Sequence, residues 1–238
     1  MSEDGHAITA GRSKRGFLML TLGGICLLVG LGTWQLDRLA WKEALIAERQ
    51  SMLAAPPVTL SRAADATDIS PYSPVRLTGR FLHDKERLVG PYTRRGVAGW
   101  HVITPLRLAA GDFVLINRGW VPENRKSPAK RFIGQMTGPV TLDGYVKRPS
   151  RQGAFVPDND PAANQWFTVD PAALARHLGL SGVASYWVIA GPAANPGGYP
   201  KGGQGIGMPV NNHLQYAGTW YGLALVLGVC AVAYWRRG

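Results

Sequence analysis

The chain has 238 residues, 46% hydrophobic and 17% charged, with a formal charge of +11 and only two cysteines, Cys26 and Cys230. The length suits one domain with additional segments. The basic excess is scattered rather than gathered on one face or helix, which excludes nucleic acid as an expected partner, and the position of both cysteines inside apolar runs excludes a disulfide framework or thiolate metal site in the middle of the chain.

In chain order, residues 1–15 form a tail carrying Arg12, Lys14 and Arg15. Gly16 to Leu36, "GFLMLTLGGICLLVGLGTWQL", runs 21 residues without a charge. As a helix it covers about 31 Å, the thickness of a bilayer core. It lacks the short apolar region and small-residue cleavage site of a secretory signal, so an uncleaved transmembrane helix over 16–36 is expected. Residues 37–70 read as a helical extension, "DRLAWKEALIAERQ", followed by a connector from Ser51 to Ser70.

Residues 71–190 carry strand signals. "PVRLTGRFL", "ERLVGPY", "GWHVITPLRL", "DFVLINRGWV", "PVTLDGYV", "QWFTV" and "SYWVIA" are short β-branched and aromatic runs between Gly, Pro and Asp. Within them "DPAALARHLG" predicts one helix, with Asp170 as N-cap, Pro171 in the first turn and Gly179 closing it. Residues 191–210 form a Gly/Pro-rich loop. A second transmembrane helix is expected over 211–235, since Ala217 to Trp235 alone covers about 28 Å, and 236–238 is a short tail. The expected fold is an α+β membrane protein: two transmembrane helices flanking a compact, antiparallel β-rich extracytoplasmic domain with one or more short helices.

Trp34, Trp41, Trp220, Tyr221, Tyr234 and Trp235 sit near span ends, as interfacial aromatics do. Two spans put both termini on one side. Five basic residues in the tails, against Arg38, Lys42, Arg49 and Lys201 near the other ends, favour cytoplasmic termini.

Motifs for chemistry are scarce. There is no Walker loop, nucleophile elbow or zincin helix. Gly203, Gly205 and Gly207 follow no strand and open no helix. His83, His101 and His177 are isolated in sequence and read as structural, and "DND" at 158–160 reads as an Asx turn before a calcium site. Gly218 and Gly222 make a small-xxx-small pair suited to packing on the first span, with its Gly23, Gly24, Gly30 and Gly32, or on a flat ligand. His213 lies in the first turn of the second span. With Ala217, Trp220 and Ala224 it shares one helix face, a ligating imidazole above a shallow apolar groove. On the residues alone it is either an interface anchor or a cofactor ligand.

Four blocks add a resemblance: "GTWQLDRLAWKEALI", "GPYTRRGVAGWHVITPLRL", "VLINRGWVPENR" and "NNHLQYAGTWYGLAL". In these the chain resembles the surfeit locus protein 1 family, assembly factors for haem-copper cytochrome c oxidase. The segment before Gly16 and the Gly/Pro stretch before Met208 carry none of it. The resemblance implies a multi-pass protein of the bacterial cytoplasmic (inner) membrane or the mitochondrial one. Both termini would be inside and the main domain on the periplasmic or intermembrane side. It implies transient binding of haem A and help in its insertion into oxidase subunit I, with no enzymatic activity. Expected partners are cytochrome c oxidase subunit I, haem A synthase and membrane lipid. His213 matches the family's haem-iron ligand. Tyr216, Trp220 and Tyr221 lie in the same block, and helix geometry lets them line the haem or its tail. Trp34 and Arg38, at the outer end of the first span, complete the expected site, Arg38 as a cation for the propionates. The alternative is a haem-independent membrane scaffold that stabilises an oxidase assembly intermediate.

Overall fold

The computed structural model describes residues 4–66, 68–150, 153 and 155–237. The side chains of 4–15, including the tail charges Arg12, Lys14 and Arg15, lie outside the described residues, as do residues 1–3 and 238. In chain order the elements are α1 (Asp4–Ala54), β1 (Val58–Leu60), β2 (Pro74–Phe81), β3 (Arg87–Arg94), β4 (Val97–Leu108), β5 (Phe113–Pro122), β6 (Val140–Lys147), α2 (Pro171–Leu178), β7 (Val183–Ala190) and α3 (His213–Arg237). They form two units, one of Met1–Glu48 with Met208–Gly238, the other of Arg49–Gly207.

In the first unit, α1 and α3 each hold an apolar window long enough to cross a membrane. Only 11% of either window is buried. A core helix of a soluble protein would be mostly covered, so this exposure suits a membrane protein, in which such side chains face lipid. α1 does not stop at the end of the uncharged run. It continues through the mixed-charge segment to Ala54 and ends before Pro56 and Pro57, because neither proline supplies a backbone donor and the first restricts the residue before it.

Small residues bring the two helices together, as packing in lipid requires. Ala217 and Ala224 are buried. A Cβ on Gly32 would lie 2.8 Å from the Tyr221 ring, and one on Gly24 would lie 3.2 Å from Leu227 Cδ2. Thr33 Oγ1 and the Tyr221 hydroxyl share a hydrogen bond of 3.1 Å. Gly218 and Gly222 take no part, since a Cβ at either meets nothing within 4 Å. The small-xxx-small pair therefore faces away from α1, and the glycines that matter for close approach are on α1.

The second unit is a seven-stranded sheet in the order β1-β2-β6-β7-β5-β4-β3, with β2 also paired to β4. That extra pairing closes β2, β6, β7, β5 and β4 into a ring. β4 makes closure possible because its 12 residues serve different neighbours along their length. Its first part pairs with β3, and Leu106–Leu108 pair with Phe81–Gly79 of β2. At the seam, a Cβ on Gly79 would come 2.4 Å from the Arg107 carbonyl oxygen, so only glycine fits. Most pairs are antiparallel; β1–β2 and β5–β7 are parallel.

Strand alternation separates two cores. Val114, Ile116, Tyr186 and Val188 point into the ring with Val75, Leu77 and Leu106. The intervening Leu115, Trp187 and Ile189 point outward, where Leu174 of α2 and Trp166 cover them. Each fully buried aliphatic side chain contributes about 1.5–3 kcal/mol to folding. Residues 51–70 enter this packing rather than hanging as a connector: Leu60, Ala63 and Ala66 are buried in the ring core. The Tyr186 hydroxyl donates to the Ala63 carbonyl at 2.9 Å. Three-residue β1 is too short for its alternation to register in the sequence.

α2 has the anticipated ends. Asp170 accepts from the Ala173 N–H at 3.0 Å, and Gly179 closes the helix with φ 63°. "QWFTV" does not form a strand. Asn159 Oδ1 accepts from the backbone N–H groups of Phe167 (2.8 Å) and Thr168 (3.0 Å), holding the segment as a turn. Only an isolated bridge joins Trp166 to Val89. In the same turn Asp160 Oδ1 accepts from the Ala163 N–H at 3.0 Å, so Asn159 and Asp160 have backbone partners. Among the described residues no group of three His, Cys, Asp or Glu could hold a metal.

Candidate functional site

His213 opens α3. The Asn211 side-chain oxygen lies 3.4 Å from its backbone N–H, and the Asn212 carbonyl accepts from Tyr216 N at 3.2 Å. Both asparagines thus satisfy the helix start. The imidazole reaches across to α1, where Nδ1 is 2.7 Å from Oε1 of Gln35. Gln35 is 9% exposed although its side chain is polar and its helix crosses the apolar layer. An amide oxygen only accepts, so Nδ1 is the donor, and in the neutral ring Nε2 carries the lone pair. A second partner that fixes the tautomer in this way is the usual support of a metal-ligating histidine.

The face formed by His213, Ala217, Trp220 and Ala224 is not an open groove. Ala217 and Ala224 are buried, and the Trp220 Nε1 donor is buried with no hydrogen-bond partner. The other expected residues sit on open surface. Trp34 is 53% exposed and Tyr216 is 54% exposed. Arg38 is exposed and lays its guanidinium 4.4 Å from the centre of the Trp41 ring. No hydrogen bond among the described residues joins Trp34, Arg38 or Tyr216 to His213. Tyr221, through Thr33, fixes the helices about two turns along α3 from His213. Sequence reasoning missed Gln35 and Thr33. Their signal was present: two polar side chains in "GTWQL", at the end of a run whose other polar side chain is Thr21.

The β unit holds a second set of buried polar groups. Arg118, in the second half of β5, is 1% exposed. It donates to the Gly134 carbonyl and, at 3.3 Å, to His83 Nδ1, and stacks 4.8 Å from the Phe81 ring centre. Burial lowers its pKa to about 10, opposed by the nearby Glu86 and reinforced by Arg131, so it stays charged at neutral pH. Arg131 and Glu86 form a two-point ion pair with side chains 1% and 7% exposed. His83 Nε2 is 3.0 Å from the Met136 carbonyl, and burial holds its pKa below the ordinary value.

His101 is held differently. The Gly119 N–H donates to Asn117 Oδ1 at 3.0 Å, which turns the Asn117 amide nitrogen toward His101 Nδ1 at 2.9 Å. Tyr92 stacks on the ring at 4.4 Å. Burial lowers the His101 pKa to about 4, so the neutral ring carries its proton on Nε2. His177 packs edge-on to Trp166 at 5.3 Å. The three histidines of this unit are not gathered into one site.

Comparison with known proteins follows the same blocks. The model of the SURF1 family matches residues 22–225, a span that includes both Gln35 and His213. The chain is 40% identical over 243 aligned positions to a SURF1-like protein of Monosiga brevicollis, covering 96% of this chain and 92% of that protein. It is 38% identical to surfeit locus protein 1 of Homo sapiens, covering 82% of this chain and 69% of that protein. The Mus musculus protein of the same name is 36% identical, with 82% and 67% covered.

Proposed function

Because this chain belongs to the SURF1 family, we propose that it is an assembly factor for haem-copper cytochrome c oxidase that binds haem A and assists its insertion into subunit I. The observation that carries the haem part is the Gln35–His213 hydrogen bond of 2.7 Å, which leaves an imidazole Nε2 lone pair at one end of the helix pair. Neutral imidazole is a good iron ligand. Trp34 and Tyr216 offer exposed aromatic surface at that end, and Arg38 offers a cation for propionates. Haem A is cargo here, so the protein's task is to hold the iron by one oriented ligand and let it go, not to transform it. In this reading the protein has no enzymatic activity of its own. The membrane is the bacterial inner membrane, with both termini cytoplasmic and the β unit periplasmic, and haem A synthase is a further partner.

A second reading rests on a different observation. The His213, Ala217, Trp220 and Ala224 face is closed, which favours a haem-independent scaffold that stabilises an oxidase assembly intermediate. One experiment separates the two. The protein is purified from cells that make haem A and its absorption spectrum recorded beside that of His213→Ala. Haem absorption that is lost in the variant supports the ligand assignment. Full haem content in His213→Ala would sink it, and a colourless protein that still captures subunit I would establish the scaffold.

A further inference from the structure

The β unit contains a cavity of about 830 Å³ that the haem reading does not use. Its volume is in the range of sites for small organic ligands. Its walls combine aromatic surface from Trp100, Trp166 and Phe167 with the cations Arg87 and Lys126.

The polar groups on this wall are short of acceptors. Arg87 Nη1 donates to the Glu86 carbonyl at 2.8 Å, but Arg87 Nε is buried with no partner. A guanidinium nitrogen can only donate, so the deficit is for an acceptor. Gln135 Nε2, also on the lining, is buried and unpartnered too, as is Nε of Arg118 behind His83. A donor buried without an acceptor is destabilising, and two of these, Arg87 Nε and Gln135 Nε2, belong to residues that line the same cavity.

The charge balance points the same way. Glu86 lines the cavity, but both its oxygens are engaged by Arg131. His83 has both ring nitrogens in hydrogen bonds. Lys126 lies 4.0 Å above the Trp100 ring, with only a distant 3.8 Å contact to the exposed Glu123. Asp84, exposed, is the remaining carboxylate on the lining. On the lining itself Arg87 and Lys126 therefore face Asp84 alone, because Glu86 is committed to Arg131, with Arg118 a further cation behind His83. This local cationic excess attracts an anion.

We propose that this cavity binds an organic anion: a carboxylate received by Arg87 and Lys126, on a flat apolar body that lies against Trp100 and Trp166. The carboxylate supplies the acceptors that the wall lacks, and the aromatic side chains supply stacking area.

The test is calorimetric titration of the full-length protein in lipid nanodiscs with 2-naphthoate, its neutral analogue 2-naphthamide, and inorganic phosphate. Saturable binding of 2-naphthoate is expected, at least about tenfold tighter than the amide or phosphate and weakened about tenfold or more by Arg87→Gln. Lys126→Gln, on the exposed rim, is expected to weaken it severalfold and serves if Arg87→Gln does not fold. Three results would overturn the proposal: no saturable naphthoate binding, equal binding of amide or phosphate, or naphthoate affinity unchanged in the folded variants.

Discussion

Gln35 Oε1 and His213 Nδ1 are 2.7 Å apart, one on each apolar helix, and the bond decides which imidazole nitrogen is bare. Gln35→Leu removes the acceptor and frees the ring to rotate and change tautomer. On the proposed haem-binding role, its haem retention is expected to fall about 10–100-fold, the usual cost of losing such support, with membrane insertion unchanged. Gln35→Glu keeps an acceptor and should keep haem. Haem titration of the purified variants checks both, and equal haem content in Gln35→Leu would make the bond a packing feature only.

The helix contact depends on Gly32 rather than on Gly218 or Gly222. Gly32→Ala places a methyl group 2.8 Å from the Tyr221 ring. The ring must move, and the hydrogen bond between Thr33 and Tyr221 is lost. A loss on the order of 1–3 kcal/mol is expected for such overpacking. Thermal unfolding in detergent should show a lower midpoint for Gly32→Ala and none for Gly218→Ala, whose added carbon meets nothing.

Glu86 is the carboxylate that Arg131 pairs with in the interior. Glu86→Gln leaves the Arg131 guanidinium buried without its counter-charge, beside an already cationic Arg118. The expected cost is about 3–5 kcal/mol, read as a lower urea midpoint with unchanged slope. Arg76→Gln is the control. That residue forms its ion pair with Asp143 in the open, with side chains 49% and 53% exposed, and solvent screening leaves little to lose.

His101 makes stability depend on pH with a definite sign. Its folded pKa is about 4, against about 6.5 for an unfolded chain. Between these values the unfolded chain binds the proton and the folded one does not. Stability is therefore full above about pH 6.5 and declines as pH falls toward 4, by as much as about 3 kcal/mol. His83, also lowered by burial, acts in the same direction. The unfolding midpoint of His101→Gln should fall less steeply than that of the unmodified protein across this window. Parallel slopes would contradict the assignment.

Much of the architecture could be read in advance because it rests on local patterns. Uncharged apolar runs of bilayer length yield α1 and α3, and the capping set Asp170, Pro171 and Gly179 yields α2. Strand alternation gave most of the β elements, but "QWFTV" has the right residue types and is a turn. Its fate is decided by Asn159, eight residues away, whose side chain takes the backbone donors. Ring closure between Gly79–Phe81 and Leu106–Leu108 is a long-range pairing with no local signal. His213 stood out because a polar ring in an apolar setting is conspicuous. Gln35 did not, since its meaning lies 178 residues away. Arg118 reads in sequence as an ordinary strand-end cation, and only the packing around it shows a buried charge.

The seam between β2 and β4 also governs how the β unit meets other proteins. By joining the sheet to itself it leaves few free backbone edges, of which β1 is three residues long. β3 carries Arg87, Pro91 and Arg94, and Trp166 bridges it at Val89. Short edges, charges and proline are what keep sheets from extending into one another. Neighbouring copies therefore find little backbone to pair with, and any contact between them falls to side chains.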